Sequence, residues 1–308
     1  MRILVTGGAG FIGSNFVHYL LDHTDDDIVT FDNLTYAGSL DNLGDALDNP
    51  RHEFIEGDIC DTELVEDAVS TVDAVVNFAA ESHVDRSIEG SKPFIRTNVE
   101  GTQTLLDAAI EADLERFLQV STDEVYGEIA EGSFSEDDPL NPRNPYAASK
   151  AAADLLVNSY YVTHGLPVVT TRSSNNFGPR QDPEKLIPKF ILNAANGDTL
   201  PVYGDGTNVR EWTYVMDNCR AIDLVLRDGD VGEVYNIGSG HEMTNLEVTR
   251  RILDILGKPH DLITFVEDRP GHDQRYALDA SKVRSLGWEP MHDFDDALRT
   301  TVEYYLDR

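Results

Sequence analysis

The stretch that decides the fold is Thr6-Gly7-Gly8-Ala9-Gly10-Phe11-Ile12-Gly13. The apolar run Arg2–Thr6 precedes it and a helical pattern continues through Leu21, so the glycines form a turn between a strand and a helix. Glycines at 7, 10 and 13 permit a tight turn, close approach of backbone to a pyrophosphate, and close packing of helix on strand. The helix N-terminus then faces the negative charge. Glycine spacing alone is common; the strand–turn–helix setting makes it a dinucleotide site. Asp32 ends the next strand, where a carboxylate accepts hydrogen bonds from ribose hydroxyls and repels a 2′-phosphate, favouring NAD over NADP. Taken alone, Asp32 also suits a turn before Asn33. Asp58, in Gly57-Asp58-Ile59, suits an adenine-edge contact or a strand-end turn.

Outward from this turn the chain alternates strand and helix. Asp27–Asp32, His52–Glu56, 74–78 and 116–121 read as strands, with amphipathic stretches such as 62–70 and 97–112 between them. Such alternation predicts a doubly wound α/β fold, a parallel sheet with helices on both faces. A long helix is expected from Asn144 as N-cap and Pro145 at the first helical position to Gly165. A strand at 166–172 follows. Beyond Gly178 the texture turns to short segments punctuated by Pro and Gly, although 233–237 again reads as a buried strand. The expected division is a cofactor domain of residues 1–178, with 230–240 returning to its sheet, and a smaller, partly interleaved substrate lobe of 179–229 and 241–308.

The 308 residues carry 24 Lys+Arg against 56 Asp+Glu, a net charge of −32. Only six of the basic residues are Lys, while 35 of the acids are Asp. Phosphates would be repelled by this surface, so nucleic acid is excluded as a partner. The acids are scattered (Asp25-Asp26-Asp27, Glu136-Asp137-Asp138, Asp295-Asp296), a texture suited to high salt, where screening over ~3 Å at 1 M removes self-repulsion. Thermal stability is accordingly expected to climb steeply with KCl; a melting temperature flat from low to molar salt would refute the salt adaptation. No apolar run approaches the ~18–20 residues of a membrane span, and the chain opens straight into a strand with no leader pattern. Cys60 and Cys219 offer neither a disulfide framework nor metal spacing and are expected to be idle thiols. A soluble, cytoplasmic protein is expected.

Tyr146 and Lys150 lie four apart and share one helix face. A Lys cation beside a phenol is expected to lower its pKa and make Tyr146 a base for a hydroxyl proton. The Y-x-x-x-K spacing is common, but here it accompanies the glycine turn and an upstream Ser121-Thr122. Together these motifs resemble the extended short-chain dehydrogenase/reductase superfamily in its nucleotide-sugar-modifying branch, which implies a Rossmann-type doubly wound sheet. Further segments are similar to the dTDP-glucose 4,6-dehydratases: Phe31-Asp32-Asn33-Leu34-Thr35-Tyr36-Ala37-Gly38, Ala79-Ala80-Glu81-Ser82-His83-Val84-Asp85-Arg86-Ser87 and Ser121-Thr122-Asp123-Glu124-Val125-Tyr126-Gly127. In the C-terminal half, Pro183-Glu184-Lys185-Leu186-Ile187-Pro188, Asn208-Val209-Arg210-Glu211-Trp212 and Asp268-Arg269-Pro270-Gly271-His272-Asp273 extend the likeness.

The pair Asp123-Glu124 separates this family from its siblings. A 4,6-dehydration oxidises sugar C4, which acidifies the C5 proton, and water then leaves across C5–C6. That elimination needs a base and an acid, and two adjacent carboxyls in different environments can hold opposite protonation states. The resemblance implies Glu124 as base, Asp123 as acid and Thr122 on the 4-oxygen, with NAD regenerated and never released. For NAD it implies contacts from Gly7, Gly10, Phe11, Ile12, Gly13, Asp32, Asn33, Leu34, Thr35, Asp58, Ile59, Phe78, Ala79, Ala80, Thr97, Tyr146, Lys150 and Asn176, with Arg86 nearby.

For the substrate, dTDP-glucose, the resemblance implies Ser82, Thr122, Asn175, Asn176, Lys185, Leu186, Pro201, Tyr203, Arg210, Asn245, Arg269 and His272. Arg210 and Arg269 suit a diphosphate, and Tyr203 a stacked base. The chain departs from the family at Phe177, usually Tyr, and at Arg180, usually aromatic. No metal is expected, since His83, Asp85 and His272 match no coordination spacing. A homodimer through helices 97–112 and 146–164 is implied, using the apolar faces Leu105/Leu106/Ala109 and Ala151/Leu155/Tyr160. The residues leave open a UDP-sugar dehydratase, a 4-epimerase, a UDP-glucuronate decarboxylase or a non-catalytic NAD-binding regulator.

Overall fold

Ile3, Leu4 and Val5 are consecutive and all fully buried, so the strand they form is covered on both faces. The computed structural model describes residues 1–268 and 272–307; Arg269, expected to bind substrate, lies outside them. The first half contains β1 (Arg2–Thr6), α1 (Phe11–His23), β2 (Asp27–Asp32), α2 (Leu40–Leu43), β3 (His52–Glu56), α3 (Thr62–Val69), β4 (Ala74–Asn77), α4 (Val84–Glu89), α5 (Lys92–Ile95), α6 (Thr102–Glu111), β5 (Arg116–Thr122) and α7 (Pro145–His164). The second half adds β6 (Val168–Ser173), β7 (Asn175–Phe177), α8 (Leu186–Asn196), β8 (Leu200–Tyr203), β9 (Val209–Tyr214), α9 (Val215–Asp228), β10 (Val234–Ile237), β11 (Glu242–Thr244), α10 (Asn245–Leu256), β12 (Ile263–Val266), α11 (Ser281–Ser285) and α12 (Phe294–Leu306).

Seven parallel strands form the main sheet in the order β3-β2-β1-β4-β5-β6-β10. The chain winds outward from β1 to β3, then crosses back to β4 on the other side of β1. This reversal opens a crevice at the carboxyl ends of β1 and β4, where open α/β sheets bind ligands. Successive side chains alternate faces: Ile3, Val5, Ile28 and Leu118 pack towards α1 and α9, while Leu4, Val29, Val75 and Phe117 pack towards α3, α6 and α7. The sheet is thus a two-sided core.

Helix α7 begins and ends where its capping residues dictate. The Asn144 side chain accepts from Ala147 N, Pro145 takes the first position, and Gly165 closes it at φ 73°. The stretch 97–112 departs from a single α-helix: residues Arg96–Gly101 form a π-helical turn ahead of α6. That turn drives Asn98 inward, where it accepts from Glu81 N (2.8 Å) and donates to Glu81 O (3.0 Å) and Ser149 Oγ (2.8 Å). Three satisfied bonds offset the irregular turn and tie the segment after β4 to α7.

Two further expectations are corrected. From sequence, residues 215–228 are expected in the lobe, but α9 lies beside α1 against the main sheet, because its buried Val215, Ile222 and Val225 fill that face. The dimer face Leu105/Leu106/Ala109 is spent on the sheet, all three being fully buried, and Ala151 is buried too. Leu155 (61% exposed), Val162 (72%) and Tyr161 are the large apolar side chains that α7 presents to solvent. The lobe itself holds the sheet β7-β9-β11, the pair β8/β12, and the mutually packed α8, α10 and α12. Among the described residues no helix is long and apolar enough to cross a membrane. Burial raises the Cys219 thiol and pushes Cys60 up to about 12, leaving both inert.

Candidate active site

The glycine turn is shaped by close approach. Gly7 has φ +66°, and a Cβ there would lie 2.6 Å from Ala79 N. A Cβ on Gly13 would overlap Gly7 O and lie 2.9 Å from Gly8 Cα. The turn after β1 is therefore pressed between the segment after β4 and the start of α1, whose first N–H groups have no intrahelical partners. Asp32 holds this arrangement from β2: its carboxylate accepts from Ala9 N (2.9 Å) and Leu34 N (2.8 Å), and burial raises its pKa.

A cavity of about 220 Å³ follows the turn along the crevice. Gly7, Gly10, Phe11, Ile12, Gly13, Asp32, Asn33, Thr35, Ile59, Phe78, Ala79, Ala80, Thr97, Tyr146 and Lys150 all line it. Leu34 and Asp58 do not. Leu34 adopts φ 50° beneath Asp32, and Asp58 instead pairs with Arg96 (2.7 Å) and accepts from Cys60 N (2.9 Å). Asn176 lines the neighbouring cavity. A cradle without room for a Cβ, free N–H groups at a helix start and a carboxylate at the end of β2 together fit a dinucleotide.

At the end of β5, Thr122 caps a short turn, accepting from Glu124 N (3.3 Å) and donating to Asp123 Oδ1 (3.1 Å). Asp123 is 3% exposed. Burial, then the neighbouring Glu124 charge, pushes its carboxyl up to about 8, so it holds a proton at neutral pH. Its Oδ2 is buried and takes no hydrogen bond among the described residues. Glu124 is held differently, with Oε2 accepting from Asn144 Nδ2 at 3.0 Å.

Tyr146 faces the same space. Loss of water, then the Glu124 charge, raises its phenol, while the Thr122 hydroxyl acts the other way. The expectation that Lys150 lowers it is not met in this state. Lys150 is buried and donates Nζ to Val120 O at 2.7 Å, and burial brings the ammonium down to about 8.

A second cavity of about 840 Å³ continues from the first past Tyr146. Ser82, Thr122, Asp123, Glu124, Asn175, Asn176, Lys185, Leu186, Pro201, Tyr203, Arg210, Asn245 and His272 line it. Arg210 stacks 4.5 Å over the Tyr276 ring and donates to the carbonyls of Val209 (2.7 Å) and Asp273 (2.9 Å), so its charge is oriented without being neutralised by these contacts. Motif reading missed Gln181, which lines both cavities and stands in no pattern that marks it, and gave no role to Trp212, which lines the second.

Arg86 lies on the second cavity's wall. It grips both oxygens of Glu184 at 2.7 Å and sits 4.4 Å over the Tyr36 ring, while Lys185 Nζ donates to Ser82 O (3.1 Å). The two departures from the family pattern are accommodated. Phe177 packs between Tyr214 and Phe294, where a hydroxyl would need a buried partner, and Arg180 donates to Asn15 Oδ1 (3.0 Å) on α1.

The chain matches the family described as GDP-mannose 4,6 dehydratase over residues 4–301. It is 69% identical over 306 residues to the low-salt glycan biosynthesis protein Agl12 of Haloferax volcanii, covering 99% of each chain. It is 53% identical to a dTDP-glucose 4,6-dehydratase of Streptomyces niveus, covering 100% of this chain and 93% of that one. Among solved structures, DesIV, a dTDP-glucose 4,6-dehydratase from Streptomyces venezuelae with NAD bound, superposes with a TM-score of 0.98 at 52% identity. The match covers 100% of this chain and 98% of that one.

Proposed function

The chain belongs to the GDP-mannose 4,6 dehydratase family, and from that membership we propose that it is an NAD-dependent hydro-lyase converting dTDP-glucose to dTDP-4-keto-6-deoxy-glucose and water. The observation that carries the reading is the Asp123–Glu124 pair, two adjacent carboxyls in unlike environments on the wall of the larger cavity, next to Tyr146. A 4-epimerase oxidises C4 but eliminates nothing, and would leave a protonated acid beside a second carboxyl without a task. The relatives named dTDP-glucose 4,6-dehydratases support the same choice.

The chain's residues divide the work. The glycine turn and the start of α1 hold the pyrophosphate, Asp32 the ribose hydroxyls, and Phe78–Ala80 with Lys150 the nicotinamide half. Held there, NAD would supply the redox chemistry, a hydride acceptor for C4 and a hydride donor for C6, beside Tyr146. Tyr146 takes the 4-hydroxyl proton and Thr122 donates to the 4-oxygen. Glu124 takes the C5 proton, and Asp123, whose buried Oδ2 has no hydrogen-bond partner among the described residues, delivers a proton to the departing C6 hydroxyl. Arg210, on the second cavity's wall, would bind the diphosphate, with Arg269 as the second cation that the family likeness implies. The cofactor body comprises residues 1–178 and 230–240, with α9 added to it. We read the protein as a cytoplasmic homodimer, with Leu155 and Val162 of α7 as exposed apolar anchors.

The product tests the reaction: incubation with dTDP-glucose should lower the mass of the nucleotide sugar by one water, whereas unchanged sugar or an isomer would contradict it. The pH dependence tests the acid. Asp123 works only while protonated, so turnover should fall as pH rises through about 8. Turnover that stays flat to about pH 10 would remove Asp123 from the acid's role.

A further inference from the structure

We propose that Asn144 is a positioning residue for the elimination, joining the cap of the Tyr146 helix to the Glu124 base; the proposal rests on the reaction above. Its amide spans two elements. Oδ1 accepts from Ala147 N (2.8 Å), starting α7, and Nδ2 donates to Glu124 Oε2 (3.0 Å). The orientation of the amide is unambiguous, because a backbone N–H can only donate and a carboxylate at this site accepts. Backbone geometry brings the two together: Asn141 N donates to Val125 O (2.9 Å), laying the approach to α7 along the turn that holds Asp123 and Glu124.

Helix capping alone does not require Asn. Ser, Asp and Asn cap about equally well, but of the three only Asn caps with an oxygen and still offers an N–H to a carboxylate. That donor anchors one oxygen of Glu124. It also fixes the base relative to Tyr146, two residues into the same helix. The oxidation at C4 and the proton abstraction at C5 therefore share one side chain as a spacer, without Asn144 touching the sugar.

Asn144→Ser and Asn144→Asp separate this role from capping, since both keep the cap. Ser caps through a single hydroxyl on a side chain shorter than the Asn amide, which withdraws the donor from Glu124, and Asp turns an anion towards Glu124. With dTDP-glucose, both variants should oxidise C4 at the parental rate, then accumulate reduced cofactor as elimination slows about 10-fold in the Ser variant and about 100-fold in the Asp variant. Melting temperatures should stay within about 2 °C of the parent, as expected when the cap is preserved. Elimination unchanged in both variants would overturn the proposal and leave Asn144 a cap only. Equal slowing of both steps with a lowered melting temperature would also overturn it. Parental protein that forms no reduced cofactor with dTDP-glucose would instead remove the reaction beneath it.

Discussion

Glu124→Gln should oxidise dTDP-glucose at C4 and go no further. Gln matches Glu in shape, and its amide oxygen can still accept from Asn144, so the turn after β5 should persist. Thr122, Tyr146 and Lys150 are untouched, and the first oxidation remains available. What is lost is the group that accepts the C5 proton, a loss of about 10²–10⁴-fold in turnover for a general base. The near-ultraviolet absorbance of the reduced nicotinamide should rise once and persist, with no dehydrated sugar released. Full turnover in this variant would remove Glu124 from the base's position. A variant that never reduces the cofactor would show that Glu124 acts earlier than C5.

Gly13→Ala should cost the protein its cofactor. The added Cβ would overlap Gly7 O and press on Gly8 Cα at 2.9 Å, all backbone atoms of the turn itself. No side-chain rotation relieves this, so α1 must shift away from β1, at about 1–3 kcal/mol for an overpacked contact. Realised as misplacement of the α1 N–H groups, this weakens NAD about 10- to 100-fold. Gly10→Ala disturbs the turn itself less, its Cβ meeting only Gly7 O at 3.2 Å. Calorimetric titration with NAD should show the loss in Gly13→Ala. Parental affinity in Gly13→Ala would mean that the close packing is dispensable.

Much of this was legible in the residues because local physics enforces it. Apolar runs such as Ile3–Val5 announce strands covered on both sides, and Asn144-Pro145 with Gly165 marks both ends of α7 through capping alone. The glycine turn is legible because Gly7 and Gly13 answer steric demands that no other residue meets. Long-range pairings are not written locally. Periodicity marks Leu105, Leu106 and Ala109 as an apolar face but not that the face belongs to the sheet, and it cannot show which body α9 covers. Nor does the four-residue spacing of Tyr146 and Lys150 reveal that Lys150 reaches back to Val120 O. The π-helical turn at Arg96–Gly101 follows from the buried partners of Asn98, residues far from it in sequence.

The central claim is that one site oxidises C4, removes the C5 proton and restores the hydrogen at C6 within a single bound cycle. Mass spectrometry and NMR of dTDP-glucose turned over in D2O at high salt test it most directly. The account predicts a product lighter by one water and carrying deuterium from solvent at C5, with the C6 methyl receiving its hydrogen from C4 of the substrate. Deuterium delivered to C6 in place of the C4 hydrogen, or an isomer with no loss of water, would contradict it.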